Sequence, residues 1–317
     1  MIGALSARFD VAPALACAPI TLGLMNQNWR WTTASGDYAV KRLRDAGPDA
    51  VRRQQQVLPV LAAHGIPVAV PFGLTELDGD WYTIAPWLPG EHVHGTGLSL
   101  SACHELGRVV GLVHTVLREA LPVAGPSTLP PARSVSDTIT EFERLAAATG
   151  DTAFDRFARA EIGRRLRLLP SIAHLRPEPG AEDPIGWTHG DLTPLNLLFT
   201  GSDVTGILDW DRLAARPYGR EVIRTAAIVF LSREGLDLDR VSAFSAGYRS
   251  RVAISGEALR DAAHRRWWEY ATDTYFLRRH YDQGDSGCDH LFRSSSALLR
   301  WWTENRERVA GSLTGFR

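Results

Sequence analysis

Large apolar and polar side chains alternate through Asn28-Trp29-Arg30-Trp31-Thr32-Thr33, the period of a strand with one buried face. Ser35-Gly36-Asp37 supplies a turn signal, and Tyr38-Ala39-Val40-Lys41-Arg42 reads as the returning strand of a hairpin. Over residues 49–64 the period lengthens to that of a helix, with Val57, Leu58 and Leu61 on one side and Gly65 as its stop. Pro59 should kink or shorten that helix, because proline removes an internal hydrogen bond. Two further short strands are expected over residues 68–73 and 81–85. Pro86-Trp87-Leu88-Pro89-Gly90 then breaks the pattern and marks a boundary.

Beyond that boundary the pattern is mainly helical. Leu106, Val109, Val110, Val113 and Leu117 recur at helical spacing after candidate caps at Ser99 and Ser101. A proline-rich connection over 120–134 precedes two expected helices within 135–172, and a loop is expected around Arg176-Pro177-Glu178-Pro179-Gly180. A compact β insert is expected over about 185–210, with helices to the end of the chain. The fold class is therefore α+β in two lobes, a small β-rich one over residues 1–85 and a larger, mainly helical one over 86–317.

Composition narrows the function. The 317 residues carry 35 basic and 36 acidic side chains, a net charge of -1, which argues against a general binder of nucleic acid or anionic membrane. No apolar run approaches the roughly 18 residues of a membrane span, and the N-terminus lacks a signal-peptide pattern. Cys17, Cys103 and Cys288 are dispersed, as expected of reduced thiols in the cytoplasm. Among the basic residues lysine occurs once, as Lys41, and asparagine occurs as Asn26, Asn28, Asn196 and Asn305. In so arginine-rich a chain, a retained lysine calls for a chemical reason.

The chemistry concentrates in Trp187-Thr188-His189-Gly190-Asp191-Leu192-Thr193-Pro194-Leu195-Asn196 and Gly206-Ile207-Leu208-Asp209-Trp210-Asp211. A hairpin between them, turning at Gly201-Ser202-Asp203, would return Asn196 beside Asp209. An amide and a carboxylate oxygen suit Mg²⁺, which keeps positions for phosphate oxygens and water. Asp191 could accept a proton from an attacking hydroxyl, completing what phosphoryl transfer requires.

HGDLTPLN followed by ILDWD resembles the signature of the aminoglycoside phosphotransferase and choline kinase-like family, small-molecule kinases with a protein kinase-like fold. The resemblance implies Asp191 as catalytic base, His189 as support for its loop, and Asn196 and Asp209 as Mg²⁺ ligands, with Asp211 adding a further contact. It implies Lys41 as the anchor of the α- and β-phosphates of ATP, with GTP as an alternative nucleotide. Lysine offers a compact charge where a guanidinium is too wide. Gly23-Leu24-Met25-Asn26-Gln27-Asn28 occupies the place of the nucleotide-covering turn and is similar to homoserine kinase-like members. Ala85-Pro86-Trp87-Leu88 occupies the place of the hinge whose backbone meets adenine. One departure stands out: Gln54 falls where relatives place the glutamate partner of the lysine. Either Gln54 bonds the lysine as a neutral partner, or Glu76 or another acid serves.

Glu269 and Asp273, four apart beside Trp267, Trp268 and Tyr270, are candidate substrate contacts. Helix salt bridges to Arg265, Arg266, Arg278 or Arg279 are the competing reading. The tryptophans are expected in the core, His114 as a hydrogen-bonded core residue, and His92 and His94 in a solvated loop rather than as a metal pair. Arg52-Arg53 and Arg164-Arg165 read as solvated helix faces. The reading is an ATP-dependent kinase of a small hydroxylated molecule, among them aminoglycosides, sugars and amino alcohols. A metabolic kinase of the homoserine type and a nucleotide-binding pseudokinase are the alternatives.

Overall fold

The computed structural model describes residues 2–21, 26–44, 47–122, 125, 131–178 and 184–315. Gly23, Leu24 and Met25 of the expected nucleotide-covering turn lie outside them, as do Pro179 and Gly180 and most of 123–130. The sequence pattern assigns no element to the first twenty residues, yet α1 (Ile2–Phe9) and β1 (Ala14–Ile20) form there. β2 (Gln27–Thr33), β3 (Gly36–Arg42), α2 (Pro48–Ala63), β4 (Gly73–Leu77) and β5 (Asp80–Pro86) follow. The strands make one antiparallel sheet in the order β1-β2-β3-β5-β4. The β2–β3 hairpin sets Trp31 opposite Tyr38 and Asn28 opposite Lys41. Trp31 and Val40 are buried with Leu5, Phe9, Tyr82 and Ile84 in a small core between α1 and the sheet.

Two expectations are corrected here. The strand expected over 68–73 lies instead at β4, and Val68 makes an isolated bridge to Ile207. The reason is turn chemistry: Asp78 (φ 53°) and Gly79 (φ 80°) form the tight turn that pairs β4 with β5. Pro59 does not end α2, which runs through it. Its ring lies on the exposed face, while Val57, Leu58 and Leu61 stay buried on the other. Gly65 (φ 75°) follows the helix in the left-handed region, as its stop requires.

The second lobe begins with α3 (Leu100–Ala120), whose cap is Ser99, the side chain accepting the Ala102 N–H at 3.1 Å. α4 (Val135–Ala147) and α5 (Ala153–Ile172) fill the next segment. The β insert comprises β6 (Ile185–Thr188), β7 (Leu197–Thr200) and β8 (Asp203–Ile207), and it extends to β9 (Ala214–Pro217), the partner of β6. After α6 (Tyr218–Val229) come the short pair β10 (Leu231–Ser232) and β11 (Gly235–Leu236). Then follow α7 (Leu238–Arg249), α8 (Gly256–Thr272), α9 (Tyr275–Gln283), α10 (Asp289–Glu304) and α11 (Arg306–Thr314). No helix among the described residues is long and apolar enough to cross a membrane.

Trp267, Trp268 and Trp302 are buried in the large core, as expected. Val57, Leu58 and Leu61 of α2 belong to that same core, so α2 ties the small lobe to the large one. Arg165 departs from expectation: it is 2% exposed, not solvated. Its guanidinium lies over the rings of Phe142 and Phe292 and donates to Ser296 Oγ at 3.2 Å. Burial lowers it to about 10.

α3 and α7 pack closely enough that their backbones meet. A Cβ at Gly107 would strike the Phe244 carbonyl oxygen, and one at Gly247 would strike the His104 carbonyl oxygen. Gly247→Ala should therefore destabilise the protein by about 2 kcal/mol or more through overpacking, although alanine favours helix. Urea denaturation should show a lower midpoint than for Gly163→Ala, where an added Cβ meets only the tip of Arg167.

Candidate active site

A cleft of ≈ 1960 Å³ separates the lobes. Lys41, Ala39, Ala85 and Leu88 line one end, and Asp191, Asn196 and Asp209 lie on its floor. Trp268, Tyr275 and the arginines of α6 line the other end.

The floor is shaped by the β7–β8 hairpin. Leu197 pairs with Ile207, and the Leu208 N–H donates to the Asn196 carbonyl at 2.9 Å, bringing Asn196 beside Asp209 as the spacing indicated. The Asn196 amide donates from Nδ2 to the Asp191 carbonyl at 2.8 Å, which leaves its Oδ1 outside that bond. Asp209 takes a left-handed backbone (φ 61°), one of the few non-glycine residues to do so and an arrangement that costs of order 1 kcal/mol. A turn of 3-10 helix over Trp210–Arg212 follows at once and points Asp211 back at Lys41.

Lys41 projects from β3 between two carboxylates. Its ammonium donates to Asp209 Oδ1 at 2.8 Å and to Asp211 Oδ2 at 2.7 Å. Burial alone would lower the lysine, but the two carboxylates outweigh it and hold Lys41 above its ordinary value. Burial likewise pushes Asp209 up, and Lys41 brings it below the usual carboxylate range. Gln54, buried on α2, donates to Asp211 Oδ1 at 2.8 Å. It is thus the partner of the lysine's partner, and neither Gln54 nor Glu76 replaces the missing glutamate directly. Asn26 also reaches Asp211, with Nδ2 at 3.4 Å from Oδ2, and its own Oδ1 accepts the Arg44 N–H at 2.9 Å.

His189 is fully buried. Its Nδ1 accepts the Asp191 N–H at 3.1 Å and its Nε2 donates to the Leu208 carbonyl at 2.9 Å, which specifies the neutral ring. Burial lowers it, consistent with that form. It therefore positions the loop and does not reach the cleft. Gly190 (φ 84°) has no room for a Cβ, which would meet the Arg216 guanidinium and the Arg212 carbonyl.

Two groups missed by the sequence reading hold this loop from α6. Glu221 accepts the backbone N–H groups of His189 (3.1 Å) and Gly190, and also His114 Nε2 at 2.7 Å. His114, the expected core histidine, completes the chain with Tyr248 OH at 2.9 Å. Arg224, one turn further on α6, gives Nη2 to Asp191 Oδ1 at 2.6 Å. The available signal was an acid embedded in the apolar run Val222-Ile223, flanked by arginines four apart.

The remaining candidates separate. At the hinge, Ala85 pairs with Ala39, and the Trp87 N–H is spent on the Asp37 carbonyl at 3.0 Å. Pro86 ends β5 opposite Tyr38, and among the described residues the Leu88 N–H has no backbone acceptor. Glu269 joins Arg220 (3.1 Å) and Arg266 (2.6 Å), whereas Asp273 caps the end of α8 and accepts the Tyr275 N–H at 2.9 Å. Arg265 and Arg279 pair elsewhere, with Asp261 and Asp285, and Arg278 lies near Glu141 and Asp282. His92 Nδ1 lies 3.0 Å from the Leu197 carbonyl, and His94 Nδ1 lies 2.9 Å from Thr96 Oγ1. Among the described residues no three His, Cys, Asp or Glu side chains are grouped to hold a metal.

Burial pushes the Glu221 carboxyl up, but the hydrogen bond and charge of His114, with His189 and the Gly190 N–H, bring it down to about 2. A carboxyl lowered on folding stabilises the protein above its unfolded value near 4.5, and that contribution is lost as pH falls toward 2. Its size is of order 3 kcal/mol. Glu221→Gln should flatten the acid side of the urea-midpoint profile and lower turnover, because an amide cannot accept from both loop N–H groups and His114.

The profile of the phosphotransferase enzyme family matches residues 16–254. A homoserine kinase of Granulibacter bethesdensis is 24% identical over 261 residues, 78% of this chain and 76% of that protein. A homoserine kinase of Acidiphilium cryptum is 25% identical over 327 residues, 97% and 94% of the two chains. Among solved structures, a spectinomycin phosphotransferase in complex with ADP and spectinomycin superposes with a TM-score of 0.66 at 14% identity, over 98% of this chain and 97% of that one. That likeness shows the two-lobed protein kinase-like fold. With the family profile covering most of its length and the loop geometry above, the chain belongs to the phosphotransferase enzyme family and is a kinase.

Proposed function

We propose that the protein transfers the γ-phosphoryl group of ATP to a hydroxyl of a small molecule, with Asp191 as the base. The observation that carries this reading is the convergence of Lys41, Asp191, Asn196 and Asp209 in one cleft. Asp191 Oδ1 is held by Arg224, which leaves Oδ2 to accept the proton of the acceptor hydroxyl. Lys41 meets the α- and β-phosphates, and the Pro86 carbonyl and Leu88 N–H meet the adenine edge, since Trp87 N–H is already used.

The Asn196 Oδ1 and the Asp209 carboxylate are hard oxygen donors facing the same space, which fits Mg²⁺. When bound, the ion neutralises phosphate charge. Asp211 has both oxygens engaged by Lys41 and Gln54, so its role is to hold the lysine rather than a metal. When the nucleotide enters, Lys41 leaves Asp209 for phosphate and keeps Asp211 as its anchor.

A small acceptor is favoured by the short passage from Asp209 through β9 into α6 at Tyr218, which has no room for the long segment that docks protein substrates. The curated relatives are homoserine kinases, and the spectinomycin phosphotransferase was solved with ADP and spectinomycin, so small acceptors recur around this chain.

With Mg-ATP and a panel of hydroxylated compounds, phosphorylated product should form, and Asp191→Asn should abolish it while nucleotide still binds. Nucleotide binding with no transfer to any acceptor, unaffected by changes at Asp191 or Asp209, would establish a pseudokinase instead. Lys41→Arg should raise the KM for ATP about tenfold or more although the charge is kept. Gln54→Glu restores the residue common in kinases, yet it should weaken nucleotide use and stability by about 1–3 kcal/mol. It replaces the donor on Asp211 with a second carboxylate.

A further inference from the structure

The acceptor end of the cleft carries one guanidinium more than its salt bridges consume. Arg220 and Arg224 are four apart on α6 and so share a face. Arg224 serves Asp191. Arg220 gives its Nε to Glu269 Oε1 at 3.1 Å, and the other oxygen of Glu269 takes Arg266 Nη1 at 2.6 Å. One carboxylate thus answers two arginines. Arg266 is fixed further, its Nη2 donating to Tyr270 OH at 3.1 Å and its guanidinium packed on that ring at 4.4 Å. Arg220 is anchored by Nε alone, and among the described residues its terminal nitrogens meet no partner. It lines the cleft with its fork open, the arrangement that takes a carboxylate through two parallel hydrogen bonds.

A carboxylate, that of Asp273, lies at the same end, near the charges of Arg165, Arg266 and Arg133 but in no salt bridge with them among the described residues. It lines the cleft and accepts the Tyr275 N–H. The site therefore offers one guanidinium fork, one carboxylate and, at Asp191, a base.

Resting on the phosphotransferase reading above, we infer that the acceptor is a small hydroxylated amino acid, its carboxylate held by Arg220, its ammonium facing Asp273 and its hydroxyl at Asp191. The hydroxyl oxygen bonds to the γ-phosphorus of ATP as the bond from that phosphorus to the β,γ-bridging oxygen breaks. The hydroxyl proton passes to Asp191, and ADP leaves. A polycationic amino sugar would meet Arg220 as a like charge and is disfavoured.

The test compares L-homoserine with 3-amino-1-propanol, which lacks the carboxylate, 4-hydroxybutyrate, which lacks the ammonium, and kanamycin, by ADP release with Mg-ATP. L-homoserine should exceed 3-amino-1-propanol in kcat/KM by about 100-fold, and Arg220→Ala and Arg220→Gln should each bring that ratio close to one. Asp273→Asn should compress the ratio of L-homoserine to 4-hydroxybutyrate in the same way. Thermal unfolding of each variant identifies a folding defect, which would lower all acceptors alike and leave the ratios unchanged.

Preference for kanamycin or for 3-amino-1-propanol, or unchanged ratios in the folded variants, would overturn the inference and leave the phosphotransferase reading intact. If none of the four is phosphorylated, calorimetry of L-homoserine with the enzyme and a non-hydrolysable ATP analogue decides. Binding that Arg220→Ala weakens tenfold or more supports the site, and absent or unaltered binding overturns it. Failure to transfer to any acceptor in the wider panel is the separate result that would end the kinase reading.

Discussion

The ammonium of Lys41 sits where two carboxylates would otherwise repel each other. Asp209 and Asp211 are two residues apart on one tight turn, and without a cation between them that turn would concentrate negative charge in a partly buried cleft. The lysine comes from β3 of the small lobe and the acids from the segment after β8 of the large one. Their attraction is therefore also a strap across the cleft. Gln54 extends the strap to α2, whose apolar face lies in the core of the large lobe. Strand, helix and the Asp209–Asp211 turn are linked by three polar contacts that do not include the ion pair expected between a strand lysine and a helix glutamate.

α6 supports the opposite wall in a comparable way. One turn of it presents Glu221 inward to the loop backbone and another presents Arg224 to the carboxylate of the same loop. Backbone and side chain of the Asp191 loop are thus fixed by one rigid element, the support that the base proposed at Asp191 requires. Arg220 lies on the same helix face as Arg224, so the proposed acceptor would be positioned relative to Asp191 by helix geometry.

What the sequence discloses follows the range of the interactions involved. Asp191, Asn196 and Asp209 are legible because a short hairpin brings them together, and hairpin geometry is written in local turn residues. The β2–β3 pairing is legible for the same reason. β4 was misplaced because an apolar run containing Pro67 and Pro71 outweighed the Asp78-Gly79 turn that actually sets the register. Glu221 and Arg224 reach the loop across some thirty residues of chain, and no periodicity reports such a contact. Arg165 was read as solvated because its burial depends on Phe142 and Phe292, contributed by other helices. The replacement for the helix glutamate was invisible in kind: its substitute, Asp211, comes from the other lobe.

Because lysine occurs once, the folded chain presents a single ε-amine to its surroundings, and that amine lines the cleft between the lobes. Its side chain is 19% exposed and its proton is secured by two carboxylates. An acylating or aldehyde reagent needs the unprotonated amine, so while both acids face it Lys41 is a poor nucleophile in spite of being reachable. With Asp209 drawn away Asp211 still holds the proton, so only an event that displaces both acids frees the amine to react. The chain thereby carries an internal gauge, in which the rate of amine modification at one position reports how the charges of the cleft are arranged.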